Sequence, residues 1–230
     1  MKLSNMEEYV ECSKSIDYFK NRYIIIDHPT NGTMQYWIGD MYSNHLNRCV
    51  FNTHKLIFSA PRQSGKSTLC LIKLLHEFIF SINADIIHIS HKYALSDSNI
   101  RRFLRMHDHL PEFLKGDIHK SGRTLTNIKT DTKLSFLSNK ATNRGLNIPD
   151  LLVIDNDMPS IEVDSDLDFY IFNPNTEVFI TTLFPKTNDD KYKSFEYYRL
   201  NVQDLNRYSD DYIQEMKGLI GLQNFRQQYG

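Results

Sequence analysis

Ala60-Pro61-Arg62-Gln63-Ser64-Gly65-Lys66-Ser67-Thr68 is the stretch on which the reading of this chain turns. It closes in Gly-Lys-Ser. It follows a short apolar run with strand character (Leu56, Ile57, Phe58) and opens a longer one with helical spacing (Leu69, Leu71, Ile72, Leu74, Leu75). Strand, turn and helix in that order place backbone N–H groups and the positive end of a helix dipole around one point, which suits an anion. In a Walker A loop of this kind Lys66 reaches the β- and γ-phosphates and the Ser67 hydroxyl sits on Mg²⁺. Ala60 stands where the G-x-x-x-x-G-K-[ST] pattern has its first glycine, so the motif is one residue short of consensus.

Working outward, the 230 residues suffice for one large domain or a domain with a small lid, and 40% of them are hydrophobic, enough for a substantial core. The 27 Lys+Arg nearly balance the 28 Asp+Glu, which argues against a bulk polyanion binder but leaves room for local basic patches. Cys12, Cys49 and Cys70 form no C-x-x-C pair, pointing away from a disulfide framework or zinc site and toward a reducing compartment. Met1 to Glu8 is polar and acidic, unlike a signal peptide, and no apolar run approaches the ~20 residues that cross a bilayer. No G-x-G-x-x-G occurs, which disfavours a Rossmann dinucleotide site. The histidines are scattered, and neither His88 with His91 nor His107 with His109 has the spacing of a helical zinc site.

The pattern predicts a strand over 55–59, a helix over 67–80, a strand over 85–90 and a helix over 96–109. That second helix carries Ile100, Phe103 and Leu104 on one face and Arg101, Arg102 and Arg105 on the other, read here as a solvated surface. A hairpin over 123–129 and 133–137 turns at Thr130-Asp131-Thr132, and strands follow over 151–155 and 177–182. Strands interleaved with helices imply an α/β fold with a mainly parallel sheet covered on both faces, and with the Gly-Lys-Ser loop the expected type is a P-loop NTPase (ASCE, or RecA-like). Residues 1–50 read as an N-terminal lid on the adenine side, 51–185 as the core, and 186–230 as a C-terminal lid or linker.

Leu151-Leu152-Val153-Ile154-Asp155 is a buried strand ending in a carboxylate, the form of a Walker B strand, and places Asp155 at the sheet edge as a metal ligand with Ser67. Many ATPases of this class follow that Asp with a Glu that polarises the attacking water. Here the residue is Asn156, followed by Asp157. Three readings stand side by side. Asp157 serves as base through a shifted turn; Asn156 orients water in a slow enzyme; or the chain binds nucleotide and hydrolyses it poorly.

With both elements in place, the order of features resembles the ATPase domain of the large terminase subunit of tailed bacteriophages, the motor that packs DNA into a procapsid. Arg62-Gln63-Ser64-Gly65-Lys66-Ser67-Thr68 is similar to the deviant Walker A of that family, which carries Arg-Gln inside the loop. Tyr23-Ile24-Ile25-Ile26-Asp27-His28-Pro29-Thr30-Asn31-Gly32 resembles its extended segment before the adenine region, and Asn143-Arg144-Gly145 its Arg-Gly segment. Ile180-Thr181-Thr182-Leu183-Phe184-Pro185 resembles its coupling motif, and Asn224 to Tyr229 the segment that closes the ATPase domain before a nuclease domain. The chain departs from the family at Asn156 and has no clear match to its adenine-contacting Gln, so base recognition falls to stacking by Tyr36, Trp37 or Tyr42, which read equally well as core packing.

The resemblance implies ATP and Mg²⁺ as ligands, held by residues 62–68 with Thr181 and Thr182 sensing the γ-phosphate. It implies Arg62 as an arginine acting in cis and Arg144 as a finger inserted into a neighbouring subunit. Implied partners are double-stranded DNA, the portal protein, a small terminase subunit and copies of the chain in a ring on the portal, with a monomer in isolation and no membrane. The implied location is the host cell cytoplasm, outside the mature virion. No nuclease activity is expected: the family's nuclease needs clustered carboxylates on a separate domain for two-metal chemistry, and Asp189-Asp190 and Asp210-Asp211 read as loop and N-cap acids rather than a metal pair. The alternatives are a P-loop helicase-like ATPase or a nucleotide-binding subunit with little or no turnover.

Overall fold

The computed structural model describes residues 3–28, 32–35, 53–62, 64–138, 147–156, 167–183, 190–200, 214–215 and 217–218. Helices α1 (Asn5–Lys14) and α2 (Ile16–Tyr23) come first. Ser4 and Glu7 form a reciprocal capping box on α1, and the Ser15 hydroxyl accepts the Tyr18 N–H at the start of α2, so both helices satisfy first-turn amides locally. Strands β1 (Ile25–His28) and β2 (Gly32–Gln35) pair antiparallel in a small sheet of their own.

The core follows as β3 (Lys55–Ser59), α3 (Lys66–Phe80), β4 (Asp85–Ser90), α4 (Tyr93–Asp108), β5 (Ile118–Ser121), β6 (Thr124–Asn127), β7 (Thr132–Ser138), β8 (Leu151–Asp155), α5 (Asp168–Ile171) and β9 (Glu177–Thr182). After a 3₁₀ turn (Asp190–Tyr192) comes β10 (Glu196–Arg199). Among the described residues, the main sheet has the strand order β10-β3-β9-β8-β4-β7-β6-β5. Pairing is parallel from β10 through β7, and β6 and β5 extend it antiparallel.

Period-two alternation divides the strand side chains between two cores. Leu56 and Phe58, Ile86, Leu151 and Val153, and Phe179 point toward α3 and α4. Ile57, Ile87 and Ile89, Leu152 and Ile154, and Val178 and Ile180 point the other way, toward Leu167, Ile171, Tyr192 and Phe195. Burial on both faces is why these strands read as continuous apolar runs. Helix α3 is apolar nearly all round because it lies between the sheet and α1–α2, where Phe19 meets Phe80 and His76 edge-on. Two of its buried polar residues are partnered away from the helix start: Lys73 pairs with Glu177 at 2.5 Å, and the His76 Nε2 lies 3.0 Å from the Cys12 carbonyl.

The strands over 55–59, 85–90, 151–155 and 177–182 coincide with the sequence expectation. Helix α4 begins at Tyr93, three residues before the expected start, and the hairpin turn places Asp131 at φ 55°. Strands β5 and β10 have no counterpart in the sequence expectation. Among the described residues no helix is long and apolar enough to cross a membrane.

Candidate functional site

The parallel strands bring their carboxyl ends to one edge. There Ser59 of β3 pairs with Thr182 of β9, Thr181 with Asp155 of β8, Asp155 with Ser90 of β4, and Ser90 with Ser138 of β7. One strand, β9, separates the phosphate-loop strand from the strand that carries the acid.

The phosphate loop leaves β3 at Ala60. Its N–H donates to the Thr182 carbonyl at 3.1 Å, its methyl is fully buried, and its φ is not positive. The backbone there continues the strand, so nothing calls for glycine, which accounts for the missing consensus residue. Gly65 is different: it takes φ 87° and ψ 10° immediately before α3, a left-handed conformation that favours glycine. Helix α3 starts with no capping side chain and no acid in its first turn, so neither of these offsets the positive end of its dipole. Lys66 is 3% exposed, and its ammonium donates to the Ala60 and Pro61 carbonyls at 2.8 Å each. A phosphate would give that ammonium a charged acceptor in place of neutral carbonyls. Ser64 and Thr68 are buried, Ser67 is half-buried and Arg62 is exposed.

On the acid side, Asp155 is 8% exposed and accepts from the Thr181 hydroxyl at 3.0 Å. The Asn156 N–H donates to the Thr181 carbonyl at 3.1 Å, and Asn156 is itself buried. Thr181 is thus tied to the acid strand by side chain and backbone, and a displacement of either strand end is felt by the other. Burial raises the Cys70 thiol well above its ordinary value, and the Asp155 carboxylate adds to that shift. Burial drives the His88 imidazole down to about 4; Asp155 pulls the other way and Arg102 reinforces the drop. Both ring nitrogens of His88 are buried without a hydrogen-bond partner.

Arg102 corrects the reading of its helix face as solvated. Its Nη2 donates to the Thr68 hydroxyl at 2.7 Å and its Nη1 lies 3.5 Å from the Asn99 Oδ1, while Arg101 and Arg105 are exposed. Asn99 and Arg102 are three residues apart and share a helix face, a spacing legible in the sequence once α4 is placed beside α3. Hydrogen bonds at this edge link Ala60 to Lys66 and Thr182, Pro61 to Lys66, and Thr181 to Asp155 and Asn156, while Arg62, Ser64, Gly65, Ser67 and Thr68 lie along the adjoining loop and helix start. Gln63, Arg144, Asp157, Tyr36, Trp37 and Tyr42 lie outside the described residues.

No protein-family model matches the chain. Its fold is similar to the crystal structure of the HK97 bacteriophage large terminase, with TM-score 0.71 and 16% identity over 94% of this chain and 54% of that one. The large terminase ATPase domain of Thermus phage P74-26 matches with TM-score 0.63 and 13% identity over 82% of this chain and 92% of that one. The large terminase of a thermophilic bacteriophage in complex with ATP-γ-S matches with TM-score 0.56 and 12% identity over 78% and 47%. The chain thus spans about half the length of the HK97 protein. These likenesses show the fold alone: a mainly parallel central sheet flanked by helices, of the RecA-like (ASCE) P-loop type.

Proposed function

We propose that this chain is the ATPase motor domain of a viral large terminase, coupling ATP hydrolysis to the packaging of double-stranded DNA into a procapsid. The observation that carries the reading is the facing pair at the sheet edge. An uncapped helix start with left-handed Gly65 and buried Lys66 lies across β9 from Asp155 bonded to Thr181. That pair suits a nucleoside triphosphate with its divalent ion, and the fold neighbours are large terminases, one of them in complex with ATP-γ-S.

In this reading Mg²⁺·ATP is the substrate. The N–H groups of residues 64–68 and the Lys66 ammonium hold the phosphates, and Ser67 and Asp155 face the ion. Asn156, or Asp157 beyond it, orients the attacking water. Arg62 acts on the γ-phosphate in cis, and Arg144 in a neighbouring copy's site. Thr181 and Thr182 carry the loss of the γ-phosphate to the chain beyond β9. DNA, the portal protein, a small terminase subunit and further copies on the portal are the partners, acting in the host cytoplasm.

Calorimetric titration with ATP and Mg²⁺, followed by phosphate release, tests this. Wild type is expected to bind and turn over, and Lys66→Ala to lose both. Absence of nucleotide uptake by folded wild type overturns the proposal. One observation favours a second reading, a subunit that binds without turning over: Asn156, which cannot accept a proton, is buried beside Asp155. A strong gain in phosphate release by Asn156→Glu would mark the native site as impaired.

A further inference from the structure

Helix α4 ties the two halves of the site together from outside it. Its tightest link is to the phosphate side, where Arg102 Nη2 donates to Thr68 Oγ1 at 2.7 Å, two residues past Lys66. Its other links run to the acid side. Arg102 Nη1 lies 3.5 Å from Asn99 Oδ1, and Asn99 Nδ2 donates to Ser90 Oγ at 3.3 Å. Ser90 is the register partner of Asp155 across the β4–β8 ladder. The planar guanidinium thus joins Thr68 of α3 to the Asn99 amide of its own helix, which in turn reaches β4, a two-point geometry that a lysine ammonium does not hold.

We propose that Arg102 is a positioning residue that couples nucleotide binding at the phosphate loop to metal binding at Asp155, through Asn99 and Ser90. This rests on the nucleotide reading above. The loop and the acid strand are separated by β9, so their relative position is set partly by what braces them from the helix face, and α4 is packed against both α3 and β4. When the loop closes on a phosphate, Thr68 moves with the first turn of α3, and Arg102 passes that movement to the strand beside Asp155. Ser90, and His88 two residues before it, are fully buried, so the β4 end of this relay is shielded from water.

The test measures ATP affinity calorimetrically with Mg²⁺ and with chelator, and takes the ratio as the coupling. In Arg102→Ala the ratio is expected to fall at least about fivefold, with Arg102→Lys between that variant and wild type. Asn99→Ala leaves the Arg102–Thr68 bond in place and cuts the relay to Ser90, and is expected to lower the ratio comparably. It carries the test if Arg102→Ala does not fold. A brace that only stabilises the fold would lower the melting temperature and leave the ratio alone. A ratio within twofold of wild type in folded Arg102→Ala, or in Asn99→Ala if the former does not fold, overturns the proposal while the nucleotide reading stands. So does wild-type affinity that is indifferent to Mg²⁺. Wild type that takes up no ATP overturns both.

Discussion

Gly65 and Ala60 bound the phosphate loop and differ in what they demand. Ala60 continues a strand and buries its methyl, whereas Gly65 must turn the chain through a left-handed conformation into α3. A Cβ at position 65 would meet the following carbonyl, a strain of about 1–2 kcal/mol. Gly65→Ala is therefore expected to lower stability by about that amount, read from urea unfolding, and to weaken ATP binding further because the first-turn amides rotate away. Thr181 is the second residue whose replacement is informative. Thr181→Val keeps the shape and removes the donor to Asp155, leaving a buried carboxylate oxygen without that bond at a cost of about 1–3 kcal/mol. Loss of phosphate release larger than loss of stability is the expected result, measured on the same preparation.

Among the elements, α3 carries the most. It begins at the proposed phosphate site, fills the space between the sheet and α1–α2, and pairs with α4 through Phe78 and Phe103, whose rings meet edge-on at 5.4 Å. Phe78 is fully buried, so Phe78→Ala is expected to cost about 3–5 kcal/mol in chemical unfolding. The helix is legible in the sequence because its apolar residues recur without a polar face. Two short strands are the opposite case. Ile118-His119-Lys120-Ser121 and Glu196-Tyr197-Tyr198-Arg199 are largely exposed and lie at the two ends of the main sheet. An edge strand buries little, so its composition carries no period, and only the register with β6 or β3 makes it a strand. The role of Arg102 is hidden for a related reason: a helix face that is polar in sequence can meet water or another helix.

At the scale of the whole molecule, acid stability has an identifiable source. Burial by itself would push the Glu77 carboxyl up, but His76 at 3.5 Å, the Ser81 hydroxyl at 2.7 Å and the charge of Lys73 outweigh it and hold the group at about 2. The folded protein therefore gives up this proton more readily than the unfolded chain, whose carboxyl titrates near 4.5. The contribution is complete above that value and is lost as pH falls through it toward 2. Urea midpoints measured across this range should drop in wild type and vary less in Glu77→Gln. The same molecule-wide view separates two kinds of information. Residue order alone determined the strand, turn and helix around Gly65, the strand ending in Asp155 and the other doubly covered strands, because a turn motif is local and a strand covered on both faces must be apolar throughout. Which strands are neighbours, that β9 lies between loop and acid, and that Arg102 reaches Thr68 were decided only by tertiary structure. Those facts depend on contacts between segments far apart in the chain, and no local pattern records them.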